Sequence, residues 1–123
     1  MRTVAQRLGD SAEAAVAERL RASGWTILGR NVRVGRAEID ILAVDPSRPP
    51  SLVAVEVRWR RRRDFGLPEE TVDRVKLARL RAAVLTLREL APQAGVVAPR
   101  LPVRVDIVAV EAGDRIRHHR AVG

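Results

Sequence analysis

Apolar residues recur every four positions near the start of the chain, at Val4, Leu8, Ala12, Val16 and Leu20. That spacing lays one stripe along one side of a helix, and Gly24 supplies a C-terminal stop. Asp10 and Glu13 add a D-x-x-E pattern, which also allows a helix start or restart there. The period then shortens. Trp25–Asn31 predicts a strand, Val34-Gly35-Arg36 a tight turn and Glu38–Val44 a second strand, hence a hairpin. Pro46, Pro49 and Pro50 place the next stretch in a loop. Leu52–Arg58 is almost unbroken in β-formers, as in a central strand buried on both faces. Arg60–Pro68 reads as a basic loop. Val72, Val75, Leu77, Leu80, Val84 and Leu87 predict a second helix over Glu69–Leu90, with Asp73 able to cap a restart. A Pro- and Gly-bearing connection, Ala91–Pro102, leads to a strand at Val103–Val110 and a short edge strand at Arg115–His119.

The order helix, three strands, helix, strand predicts an α/β fold with a mixed sheet flanked by helices. No internal repeat, linker or low-complexity tail interrupts it, so residues 1–123 are expected to form a single domain.

Acids interrupt this apolar pattern where they are costly. Glu38 and Asp40 lie in the second predicted strand, and Glu56 lies in the third. An ionised group in such a strand must be paired, hydrogen-bonded or bound to metal. Strict alternation puts Glu38 and Asp40 on one face, opposite Ile39 and Ile41, and puts Glu56 with Arg58, opposite Val55 and Val57. If the two strands pair, Asp40 and Glu56 converge at one end of the sheet. Two carboxylates and a backbone carbonyl suit Mg²⁺, which keeps several waters and takes phosphate oxygens as further ligands. The same acids fit equally well into a structural salt-bridge lattice with Arg30, Arg33 and Arg104. Glu13 can reach this end of the sheet from the first helix, or it can serve as a capping or surface acid.

Composition narrows the chemistry. The chain has no Cys, which excludes disulfides and thiolate zinc sites. It lacks an apolar run near the ~18–20 residues that span a bilayer and a secretory h-region after Met1, so a soluble cytoplasmic protein without membrane contact is expected. A net charge of +8 favours a polyanionic partner, nucleic acid above all. Arg58 and Arg60, Arg61, Arg62 and Arg63 surround Trp59 directly after the acid-bearing strand. Such a block can neutralise several phosphates without reading sequence, or it can be a solvated loop. Trp59 can stack on an unpaired base or serve as a core indole. His118 and His119 are adjacent, face opposite ways on a strand, and read as surface or tail residues. There is no Gly-rich phosphate loop, Ser/His/Asp grouping or Cys nucleophile.

A set of short stretches, in order over most of the chain, resembles the YraN-like family of small bacterial proteins. They are Gly9 with Glu13 and Ala14, Gly24, Ile27-Leu28, Arg30-Asn31 with Arg33, Glu38-Ile39-Asp40, Val55-Glu56-Val57, Arg60, Phe65-Gly66, Lys76, and Arg104 with Asp106. The resemblance implies a restriction-endonuclease-like, PD-(D/E)xK core similar to that of Holliday junction resolvases. It implies a metal-dependent nuclease acting on DNA, with branched or single-stranded DNA as candidate substrates. Asp40 and Glu56 would hold Mg²⁺ or Mn²⁺, with the Val57 carbonyl and Glu13 assisting, and Glu38 would support them or pair with an arginine. Arg33 and Arg60–Arg63 would hold the nucleic acid, Lys76 would supply an ammonium near the site, and a homodimer is expected. Two positions depart from the family. Arg58 stands where a lysine is expected, and Arg, unlike Lys, cannot give up its proton. Ala37 replaces a glycine before Glu38. The alternative function is a nucleic-acid-binding protein that keeps the fold without hydrolysis.

Overall fold

A computed structural model describes residues 3–60, 74–90, 98–111 and 115–121. Helix α1 (Val4–Ala22) comes first, then strands β1 (Thr26–Val34), β2 (Ala37–Asp45) and β3 (Ser51–Arg60), helix α2 (Arg74–Leu90), and strands β4 (Val103–Glu111) and β5 (Arg115–His119). This is the predicted α/β order, with β5 as the edge strand. The expected start of the second helix at Glu69 lies outside the described residues. Among those residues no helix is long and apolar enough to cross a membrane.

α1 starts earlier than the D-x-x-E pattern implied and does not restart. Thr3 Oγ1 accepts from the Gln6 N–H and Gln6 Oε1 accepts from the Thr3 N–H, a reciprocal capping box. Its spacing, T-x-x-Q, is legible in the sequence. The helix docks only from Ala12 onward. Ala12, Val16, Ala17 and Leu20 are buried, whereas Val4, the first member of the stripe, is 60% exposed.

The five strands lie in the order β1-β2-β3-β4-β5. β2 runs antiparallel to both β1 and β3, β3 and β4 run parallel, and β5 returns antiparallel to β4. The parallel step needs a crossover, and α2 lies within it. Arg81 and Arg88 of α2 donate to the carbonyls of Val103 and Leu101, which ties the helix to the start of β4.

The sheet has a core on each face. Leu42, Leu52, Ala54, Val105 and Ile107 pack with Leu80, Val84 and Leu87 of α2. Ile41, Val53, Val55, Val108 and Val110 pack with Val16 and Leu20 of α1 and with Trp25. β3 therefore buries both faces, as its unbroken apolar run predicts.

The β1–β2 hairpin closes through Gly35 and Arg36, with Val34 opposite Ala37. Gly35 has φ 60, which suits the first central position of a mirror-image turn. Ala37, the departure from the family's glycine, sits in register as the first residue of β2, so the turn forms without a glycine there.

Candidate active site

Regular alternation fails at Asp40, and that failure builds the site. Ile39 packs in the core beneath α2, whereas Ile41 packs in the core beneath α1. A regular strand would put both on one face. β1 breaks at the same level. Arg30 reaches Glu13 of α1, Val32 packs beneath α2, and Asn31 between them has φ 53. Asn tolerates this left-handed backbone better than most residues. The expected arrangement of Glu38 and Asp40 opposite both isoleucines is therefore corrected: the face changes between Ile39 and Ile41.

The β2–β3 ladder runs from Asp45 opposite Ser51 to Ile41 opposite Val55 and ends there. One step beyond, Asp40 Oδ2 accepts the Val57 N–H at 2.9 Å. A backbone donor that the ladder no longer uses is thus satisfied by the carboxylate. Glu56 belongs to the α2 face by alternation with Val55 and is buried. Its Oε1 accepts from Lys76 Nζ at 2.7 Å and lies 3.5 Å from Arg58 Nε. Asp40, Glu56 and Lys76 share a cleft of about 380 Å³ with Arg36, Glu38 and Arg79.

Burial, and then the charge of Glu56, push the Asp40 carboxyl up to about 7, against the pull of the Val57 N–H. Asp40 therefore resists ionisation beside Glu56 until a further cation compensates. The pair suits Mg²⁺, which one or two carboxylates can hold while waters and phosphate complete its shell.

Glu13 is near enough for its charge to raise Asp40 further, but it comes from the opposite helix. Its Oε1 accepts from Arg30 Nε at 3.1 Å. Burial raises the Glu13 carboxyl and Arg30 opposes that rise. Among the described residues no three of His, Cys, Asp and Glu gather as a ready metal cluster. Glu13 thus approaches Asp40 from the α1 side, with Arg30 on its carboxylate.

The alternative lattice forms in part, with Arg33 on Glu38, whereas Arg30 and Arg104 pair with acids other than Asp40 and Glu56. Arg33 meets Glu38 at 3.2 Å while remaining 76% exposed. Arg30 meets Glu13, and Arg104 meets Asp45 and Asp106. A wider cleft, about 760 Å³, lies on the α1 side of the break and is lined by Asp10, Ser11, Arg30 and Arg33, but it does not contain the Asp40–Glu56 pair. Trp59 packs against the core beneath α1, as a core indole does. Arg60 ends β3, and Arg61, Arg62 and Arg63, with Phe65 and Gly66, lie outside the described residues.

A second polar cluster was not foreseen. Asp106 is fully buried in β4. Arg104 Nε and Nη2 grip its two oxygens at 2.8 and 3.0 Å. His118 Nε2 lies 2.8 Å from Oδ2, and the Ala121 N–H donates to Oδ1 at 3.0 Å. Arg104 Nη2 also reaches Asp45 at 2.7 Å, and its guanidinium lies 5.6 Å from the Trp25 ring. His118 is therefore a structural partner and not a tail residue. The signal was present in V-R-V-D, which puts an arginine and an acid on one face of an apolar strand.

Burial opposes ionisation of Asp45 and Asp106. Hydrogen bonds from Ser47 and Arg104 nevertheless hold Asp45 down at about 2, and those from His118, Arg104 and Ala121 hold Asp106 below its usual range. Carboxyls lowered on folding stabilise above their unfolded value, about 4, and lose that contribution as pH falls through the folded value. Acid titration of the fold should therefore show a loss of stability between about pH 4 and 2. Arg104→Gln should flatten that limb in urea melts taken across this range, and an unchanged limb would contradict the assignment.

The Uncharacterised protein family UPF0102 matches residues 12–110 of this chain. A UPF0102 protein of Symbiobacterium thermophilum is 42% identical over 111 residues, covering 89% of this chain and 86% of the relative. One from Moorella thermoacetica is 41% identical over 108 residues, covering 85% and 81%. One from Roseiflexus castenholzii is 38% identical over 112 residues, covering 89% and 82%. Family match, length and identity agree with the motifs from Glu13 to Asp106, and the chain belongs to the YraN-like family UPF0102.

Proposed function

We propose that this protein is a divalent-metal-dependent nuclease that hydrolyses phosphodiester bonds in DNA. The observation that carries the reading is the convergence of Asp40 and Glu56 where β2 and β3 part, with Lys76 and Arg58 on the same acid. The sheet order and flanking helices are compatible with a restriction-endonuclease-like core.

Asp40 and Glu56 would hold Mg²⁺ or Mn²⁺, which supplies a Lewis acid for phosphate and lowers the pKa of water. Val57 orients Asp40 through its N–H. Lys76 and Arg58 screen the charge of Glu56, and Lys76 also lines the cleft, where its ammonium can meet a phosphate oxygen. A guanidinium serves as a phosphate holder and not as a base, so Arg58 steadies phosphate and leaves proton removal to other groups. Glu13 acts from behind through Arg30 and through its charge on Asp40. Arg33 and the Arg60–Arg63 block add backbone affinity without sequence preference.

A second reading, a DNA-binding protein without hydrolysis, is favoured by Arg58 in the lysine position. Incubation of wild-type protein with single-stranded, duplex and four-way-junction DNA, in Mg²⁺, Mn²⁺ or EDTA, separates the two. Cutting of at least one substrate with metal and none in EDTA is expected. Salt-sensitive binding with no cutting under any metal would leave the binding protein. No binding at physiological salt would sink both and point to an acidic protein partner.

A further inference from the structure

The cleft that holds Asp40 and Glu56 does not end at the two acids. A second hollow of about 590 Å³ continues it between α2 and the β1–β2 turn, and the two share Arg36, Ala37 and Arg79. Beyond the arginines the lining turns apolar, through Val34, Ala82 and Leu90. Arg36 and Arg79 are exposed. Among the described residues neither forms an ion pair, unlike Arg30, Arg33, Arg58 and Arg104, each of which faces an acid. Two unneutralised guanidiniums therefore stand at the waist of a groove that begins at the acid pair and ends on an apolar floor.

The geometry points to a single, unpaired nucleic-acid strand as the occupant of this groove, with Arg36 and Arg79 gripping its phosphates and the apolar end receiving its bases. This inference rests on the nuclease reading for its direction, since the acid pair is where the gripped strand would be cut. The charge pattern chooses a polyanion. The floor chooses its form, because a duplex presents sugar and phosphate outward and hides its base faces, whereas an unpaired strand offers them to apolar surface. Guanidinium forks suit phosphate oxygens. Among the described residues no aromatic side chain lines either hollow, so their grip comes chiefly from phosphate contacts and tolerates any sequence.

The test compares wild type with Arg36→Gln/Arg79→Gln and with a control pair of exposed arginines off the groove, Arg19→Gln/Arg48→Gln. Binding of labelled oligo(dT), and of a blunt duplex of equal length, is measured in EDTA over a range of salt. The groove variant should bind oligo(dT) about tenfold more weakly, with a salt slope smaller by about 1.4, the value for two single-strand phosphate contacts. Its duplex binding should match that of the control pair. Equal loss in the control pair, or equal loss on duplex, would overturn the inference. So would poly-glutamate binding as tightly as oligo(dT) through the same two arginines. The binding arms need no hydrolysis. A wild type that never cuts would remove the nuclease reading and leave the strand groove standing, whereas cutting with no groove effect would do the reverse.

Discussion

Asp40→Asn is expected to cost at least about 100-fold in metal-dependent cleavage, about 2.7 kcal/mol of transition-state stabilisation, while making the metal-free protein more stable. Both effects come from one arrangement. Asn can still accept the Val57 N–H, so the local backbone keeps its anchor, but it offers the cation no charge. The stability gain follows from linkage. Burial and the neighbouring Glu56 raise Asp40 to about 7 in the folded chain, above its unfolded value. Its folded form then holds a proton that the unfolded chain has released. Stability therefore falls as pH rises from about 4 towards 7 and stays low above. The gain from Asn should be on the order of 2–4 kcal/mol at pH 8 in EDTA and shrink towards zero near pH 4. Chemical denaturation at these two pH values, beside a cleavage assay, checks both halves. A variant that cuts normally would remove Asp40 from the site. One that loses stability at pH 8 would mean that Asp40 is structural.

Asp106→Ala is expected to behave in the opposite way, costing about 3–5 kcal/mol of stability. Asp106 is fully buried and receives Arg104, His118 and the Ala121 N–H. Removing it leaves Arg104 beside Asp45 alone, strands a half-buried histidine and frees the chain after β5. The penalty is mainly that of groups left without partners, which exceeds the net worth of the bonds themselves. Urea denaturation at pH 7 should show a marked drop in midpoint. A change under 1 kcal/mol would show that the cluster is solvated and dispensable. The contrast between the two aspartates separates an acid kept for chemistry from one kept for the fold.

The strand and helix order was legible because each element carries its own period. The run Leu52–Arg58 announced a doubly buried centre, and Val34-Gly35-Arg36 announced the hairpin, since both signals are local. Asp40 and Glu56 stood out as acids in apolar strands, where their desolvation cost demands a reason. The grip of Lys76 on Glu56 was not legible from spacing, because twenty residues and a crossover separate them. Only the resemblance to the family points to Lys76.

Sequence by itself determined the elements, the acid-bearing strands and the cationic balance, because propensity, period and charge are properties of short segments. Tertiary structure decided which acids meet. Strict alternation assigned faces to Glu38 and Asp40 that the break at Asn31 and Asp40 overrides, and only the end of the β2–β3 ladder turns Asp40 towards Val57. It put Arg30 on Glu13, which comes towards Asp40 from the helix on the other face. It drew His118 from an apparent tail onto buried Asp106, and it left Arg36 and Arg79 with no ion pair among the described residues at the waist of one groove. Such pairings depend on which distant segments pack together, and no local pattern encodes that.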